Sequence, residues 1–445
     1  MPQSLNSLKG EEFEDFVSAV FQCSGYYVER NIIEREENKE VLELDIVATR
    51  YDMLQSKSLI VEVKSGTWGF PDLFKIKGWL DYLKYKNGIF VTNVYKKDYE
   101  LYKKKAKKLG IELIQLKELS YPAVSESLKK IIPDFEFVES DFATWIDSYR
   151  IERKILKDLK NYKNNIAPNE KSFQKLDEYY FLLNCGIFFE ESIVDRVRKL
   201  YETFQKFPRI SARCGNELIG RSFDKEVKKL NDNIYEATYY DCKYNRIQIS
   251  TYIEHRARLA LLKNAVDYLL ERKRKDIAIE VFAEDFEEEL FHYLPSSFKR
   301  GINQLERHSY FYKYPLFWQW FMWIFGGFIL EDYKEREYEI LSQKTGIPVD
   351  EIPKAFESYQ ILFPQDDGWF INLAPQSSIR VLKMFPRPFS GIGANYRKLI
   401  YTKNKKFEEL NFSGSHTYDD LKKWYKLKEK LLTLEIELED DYPIQ

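Results

Sequence analysis

The chain has 445 residues, 44% of them hydrophobic and 31% charged, with a net charge of −2. That length suits about two or three domains, and the charge balance excludes a uniformly basic coat, so any polyanion contact must come from local patches. The four cysteines, Cys23, Cys185, Cys214 and Cys242, contain no C-x-x-C pair. A zinc site or disulfide framework is therefore not expected, and reduced thiols in a cytoplasmic protein are. The opening Met-Pro-Gln-Ser-Leu-Asn-Ser carries no apolar signal segment.

The first predicted element is a helix opened by Gly10-Glu11-Glu12-Phe13-Glu14, with Phe13, Phe16, Val17, Val20 and Phe21 at helical spacing. Ser24-Gly25 is a stop signal, and Tyr26 to Arg30 reads as a strand. Leu42-Glu43-Leu44-Asp45-Ile46-Val47 and Leu59-Ile60-Val61-Glu62-Val63-Lys64 alternate with period two. Pairing them would put Asp45, Glu62 and Lys64 on one face. Two carboxylates can hold a divalent cation, and a lysine can sit beside a water or phosphate oxygen, a set that suits phosphodiester hydrolysis. Taken alone, the E-x-K strand fits an ordinary surface hairpin equally well.

The order helix, strand, Asp strand, E-x-K strand, helix, strand resembles the D…(D/E)xK nucleases of the restriction-endonuclease type. The "G-x-x-FE … GY-x-V" opening resembles their Mrr-like branch, which includes relatives of archaeal junction resolvases. The resemblance covers about the first quarter of the chain. It implies Asp45 and Glu62 as ligands of Mg²⁺, with Mn²⁺ as a substitute, and the Val63 carbonyl completing the site. Lys64 would orient or deprotonate the attacking water, and Glu14 would face inward and hold a second metal or a metal-bound water. Glu43 is a weaker candidate. Lys75 and Lys77 could touch the phosphate backbone. The implied substrate is DNA, with RNA cleavage by the same residues left open. A nuclease domain joined to a long helical, sensor-like remainder looks like prokaryotic restriction or anti-phage defence, an inference from architecture alone. A non-catalytic nucleic-acid- or partner-binding protein on a nuclease scaffold is the rival reading.

Further along, Pro71-Asp72-Leu73 starts a helix, Ile89 to Thr92 is a short apolar strand, Lys97 to Leu109 is a lysine-rich helix, and Ile111 to Leu116 is a last strand. Together these predict a mixed α/β sheet flanked by helices over residues 1–118, then a linker over 119–134. Residues 135–330 read as mainly helical, with Tyr149 to Leu159 and Glu190 to Phe204 as examples and a β-like interruption from Asn233 to Thr251.

Tyr314 to Leu330 is uncharged and aromatic, but shorter than the roughly 20 apolar residues of a spanning helix. Gln319 and Gly326-Gly327 interrupt it, so a buried helix or an oligomer or partner interface is preferred to membrane insertion. In the C-terminal region, 331–445, a winged-helix-like segment over about 331–375 is predicted. Its second helix carries Asp350, Glu351 and Glu357 against Lys354, which favours protein contacts or internal packing over DNA docking. Arg380 to Lys406 is basic and aromatic, and Arg397 and Lys398 in it suit a nucleic-acid groove or charged loops around a helical core alike. Ser390-Gly391-Ile392-Gly393 lacks the Lys-Ser/Thr of a phosphate loop. His255, His292, His308 and His416 stand at no metal-ligand spacing, and the tail Leu434 to Asp441 is acidic.

Overall fold

The computed structural model describes residues 10–116 except 38, then 126–129, 132, 138–165, short pieces between 180 and 200, 244–278, 296–364, 368–373, 376–382 and 385–401. Two compact units divide the chain. One holds the described residues up to Tyr149, apart from 52–55, and the other those from Arg150 to Tyr401.

In the first unit, α1 (Glu11–Cys23) leads into the strands β1 (Tyr27–Glu36), β2 (Lys39–Tyr51) and β3 (Ser56–Lys64). After α2 (Phe70–Tyr82), β4 (Gly88–Thr92), α3 (Tyr99–Lys108) and β5 (Ile111–Gln115) follow. The sheet order is β1-β2-β3-β4-β5. The first three strands are antiparallel and β3, β4 and β5 run parallel. This is the mixed α/β sheet that the alternation pattern predicts. Leu42, Leu44 and Ile46 of β2 are all buried, as are Val61 and Val63 of β3, which locks the register, because a one-residue slip would turn this face to water.

The compact unit does not stop at residue 118. Leu128 and Ile132, in the expected linker, are buried. The helix α4 (Glu139–Asn165) sets Phe142 edge-on to Phe16 at 5.0 Å and brings the Tyr149 ring to 4.1 Å from the Arg30 guanidinium. Arg30 also pairs with the fully buried Asp15 at 2.5 Å. Phe142, Trp145, Ile146 and Tyr149 are all buried here. A fragment 1–150 is therefore expected to melt cooperatively, while 1–118 loses on the order of 5 kcal/mol of apolar burial. Urea denaturation of both fragments checks this, and equal midpoints would show that α4 is dispensable.

The second unit is built on α5 (Tyr244–Ala278). It is helical where a β-like interruption was expected, and residues 233–243 lie outside the described residues. Ile249, Tyr252 and Ile253 are buried at helical spacing, so tertiary packing outweighs their β propensity. Then come α6 (Ser296–Glu306), α7 (Tyr314–Gln319), a π-helical turn (Trp320–Ile324) and β6 (Phe328–Leu330). Next are α8 (Lys334–Thr345), α9 (Ile352–Leu362), β7 (Phe370–Leu373), β8 (Gln376–Leu382) and α10 (Arg387–Tyr401).

The sheet order β6-β8-β7, with α8 and α9 between its first and second strands, is the connectivity of a winged helix. The segment from Tyr314 to Leu330 is the interior of this unit, since every residue in it is buried. Trp318 stacks on Tyr359 at 3.8 Å and donates to Ser358 Oγ at 2.8 Å. That burial accounts for its aromatics without an interface. Among the described residues no helix is long and apolar enough to cross a membrane.

Candidate active site

The site lies where β2 leaves β3. The two strands pair from Ile46↔Val61 to Tyr51↔Ser56. One residue beyond that ladder, Asp45 takes over: its Oδ2 accepts the Val63 N–H at 2.7 Å. A side-chain carboxylate thus replaces a backbone acceptor as the strands part, and Asp45 stays level with Glu62. Alternation places Glu62 and Lys64 on the same side of β3.

Glu62 is 2% exposed. Its Oε1 faces Lys64 Nζ at 3.4 Å and Lys75 Nζ at 3.8 Å, while its buried Oε2 has no hydrogen-bond partner. A buried carboxylate oxygen without a donor is costly, and a cation would satisfy it.

Electrostatics point the same way. Burial pushes the Asp45 carboxyl well above its usual range and Glu62 adds to the rise, while the Val63 N–H holds it down. Burial also raises Glu62, against the pull of Lys75 and Lys64. Burial would lower the Lys64 ammonium, but Glu62 and Asp45 outweigh it and the net shift is upward. Lys64 is therefore held as a cation. It can donate to a water or a phosphate oxygen. Burial raises the Glu14 carboxyl, Arg30 pulls it down, and Asp15 and Glu43 add to the rise.

The expected residues Asp45, Glu62, Val63, Lys64 and Lys75 therefore come together. Glu14 is close enough to raise Asp45. However, among the described residues no group of three His, Cys, Asp or Glu side chains is placed to hold a metal ion, so Glu14 does not stand as a third direct ligand. A carboxylate pair fits an ion that keeps several waters, as Mg²⁺ does, better than a zinc cage. Lys77 is engaged by Asp81 one turn on. Arg397 and Lys398 belong to the other unit.

Arg397 needs correction. It is 2% exposed and pairs with the fully buried Glu337, so it cannot meet a nucleic acid. The exposed Asp350, in the turn before α9, and Glu357 and Gln360 on α9 leave little for phosphate, and Lys354 is paired with Glu351.

Two polar groups beside the site escaped the sequence reading. Lys64 pairs with Thr92 on β4, and Thr92 pairs with Gln115 on β5, so all three side chains share a face. The available signal was a single polar residue ending each apolar strand, at the carboxyl edge where α/β sheets place ligands. Trp68, buried in the loop after Lys64, packs on Phe90 at 5.1 Å and Tyr102 at 4.9 Å.

A family model described as a restriction endonuclease, the Mrr catalytic domain, matches residues 5–121. The N-terminal unit is restriction-endonuclease-like. No curated protein and no solved structure matches the chain. The match ends where the second unit has yet to begin, so it describes the nuclease-like domain and leaves the winged-helix unit to be read from its own residues.

Proposed function

We propose that this protein is a divalent-metal-dependent endonuclease that hydrolyses phosphodiester bonds in DNA. The observation that carries the reading is the buried carboxylate pair, with Asp45 fixed by the Val63 N–H and Glu62 Oε2 left without a donor beside the Lys64 ammonium. Asp45, Glu62 and the Val63 carbonyl would hold Mg²⁺, for which Mn²⁺ can substitute, and the ion would polarise the phosphate and lower the pKa of a bound water. Lys64 orients the attacking water and stabilises charge growing on the phosphate oxygens. Lys75 holds Glu62 in place from α2 and keeps phosphate within its reach. The second unit serves recognition, sensing or assembly, and a nuclease joined to such a unit suits restriction or anti-phage defence. The test is incubation with plasmid, single-stranded DNA and RNA, each with Mg²⁺, Mn²⁺ or EDTA. Cleavage of plasmid that EDTA stops supports the proposal. RNA cleavage alone, or no cleavage by a protein that binds Mg²⁺, overturns it.

The raised carboxyls give a stability prediction. A carboxyl raised on folding contributes stability that is present below its unfolded value and is lost as pH rises through its folded value. Metal-free protein should therefore lose stability from about pH 4 upward as Asp45 and Glu62 ionise. Asp45→Asn keeps an acceptor for Val63 and removes one charge. At pH 8 in EDTA its Tm should exceed the wild type's by about 4 °C, a gain on the order of 1 kcal/mol, and the gap should close near pH 4. Addition of Mg²⁺ should raise the wild-type Tm alone. A pH-independent difference in differential scanning fluorimetry would refute this account.

A further inference from the structure

Seven lysines and two acidic residues lie between positions 95 and 108, in a chain of net charge −2. Lys97, Lys104, Lys105, Lys107 and Lys108 are all exposed. None of the five is ion-paired among the described residues. Lysines one turn apart repel by a few tenths of a kcal/mol per pair. The negative end of the helix dipole relieves only those in the last turn of α3, so the spacing is not explained by helix stability.

The same stretch carries Tyr95, 68% exposed and the most exposed of the large hydrophobic residues described. It stands three residues beyond Thr92, the β4 partner of Lys64, at most roughly 10 Å of chain away. The turn beneath it is fixed, because Thr92 Oγ1 accepts the Val94 N–H at 3.0 Å and Gln115 Nε2 donates to the Val94 carbonyl at 3.2 Å. Phe70 and Trp68 both pack on Tyr102 of α3, at 4.3 and 4.9 Å, tying that helix to the loop after Lys64. On α2, Phe74 is a second ring left 53% exposed, next to Lys75.

We propose that Tyr95 and the lysine face of α3 form a track for a single DNA strand leading to Lys64, with Tyr95 as a stacking platform for an unpaired base. An exposed ring beside unpaired lysines suits a single strand, whose bases offer open faces; a duplex hides those faces and needs only the cations. This gives the nuclease proposed above a substrate class, single-stranded or locally unpaired DNA, and it rests on that reading.

Binding in EDTA separates the two claims. Full-length protein is titrated against a fluorescein-labelled 20-nucleotide oligothymidylate, the corresponding duplex and oligouridylate, across a salt series. Tighter binding of oligothymidylate than of duplex, by about tenfold, is expected. Tyr95→Ala should weaken the single-strand complex by roughly 5- to 100-fold and leave the duplex unchanged. The combined Lys104→Ala, Lys107→Ala and Lys108→Ala variant should lower the slope of log affinity against log salt by about two. Duplex binding as tight as single-strand binding, no loss with Tyr95→Ala, or a preference for oligouridylate would each overturn the track. Single-strand binding of this kind without cleavage in Mg²⁺ would leave the track standing and remove only the nuclease.

Discussion

Replacing Lys64 by alanine is expected to lower DNA cleavage by roughly 10²- to 10³-fold and to leave Mg²⁺ binding intact. The ammonium lies 3.4 Å from Glu62 and is held charged by Glu62 and Asp45, so its loss removes a donor to the water and the phosphate. It removes no ligand. A cation at the carboxylate pair would be repelled by Lys64, so calorimetric Mg²⁺ affinity should stay the same or tighten. Asp45→Ala should do the reverse and abolish the heat of binding. Full cleavage by the Lys64 variant would move the chemistry elsewhere on the chain, and parallel loss of metal binding would make Lys64 a structural support.

The contrast between these two variants follows from what short-range alternation can encode. Strand period two puts Asp45, Glu62 and Lys64 on one side of a hairpin, and the burial of Leu44, Ile46, Val61 and Val63 on the opposite side holds them there. Nothing local announces that β2 parts from β3 at Asp45, because that depends on a carboxylate capping Val63 eighteen residues away. Thr92 and Gln115 enter the site through parallel pairing, which joins segments separated by whole helices. The extent of the first unit was hidden for a related reason: the start of α4, as far as Tyr149, belongs to it through Phe142 on Phe16 and Tyr149 on Arg30, contacts that no repeat in the sequence marks.

The second unit shows the opposite difficulty, in which local chemistry leaves two readings open. Ser390-Gly391-Ile392-Gly393 is glycine-rich for packing. A Cβ on Gly393 would lie 2.2 Å from the Phe325 carbonyl oxygen, and one on Gly326, at φ +70, would lie 2.4 Å from the Phe389 carbonyl oxygen. That close approach brings α10 against the π-helical turn and carries Arg397 inward. A charged residue in a basic run looks like surface because its partner Glu337 is 60 positions away.

Arg397→Ala is accordingly expected to destabilise the second unit by about 3–5 kcal/mol, with no direct effect on nucleic-acid affinity. The guanidinium is fully used: it pairs with Glu337 and donates to the carbonyls of Phe325 at 2.9 Å, Gly393 at 3.0 Å and Phe328 at 2.7 Å. Its plane also lies 3.9 Å from the centre of the Phe328 ring. Glu337 in turn accepts the Leu330 N–H at 3.1 Å, so one ion pair ties α10, β6 and α8 together. Burial already raises the Glu337 carboxyl, and Arg397 is the main group opposing that rise. Without the arginine, the buried carboxylate must take up a proton or stay uncompensated. The variant should therefore recover part of its stability as pH is lowered and Glu337 takes up a proton. Glu337→Gln, which keeps acceptors without the charge, should cost less than Arg397→Ala. Urea unfolding followed by tryptophan fluorescence suits the measurement, because Trp318, Trp320 and Trp323 are buried in this unit. A wild-type midpoint for Arg397→Ala, together with weakened DNA binding, would return Arg397 to the surface and reverse the assignment.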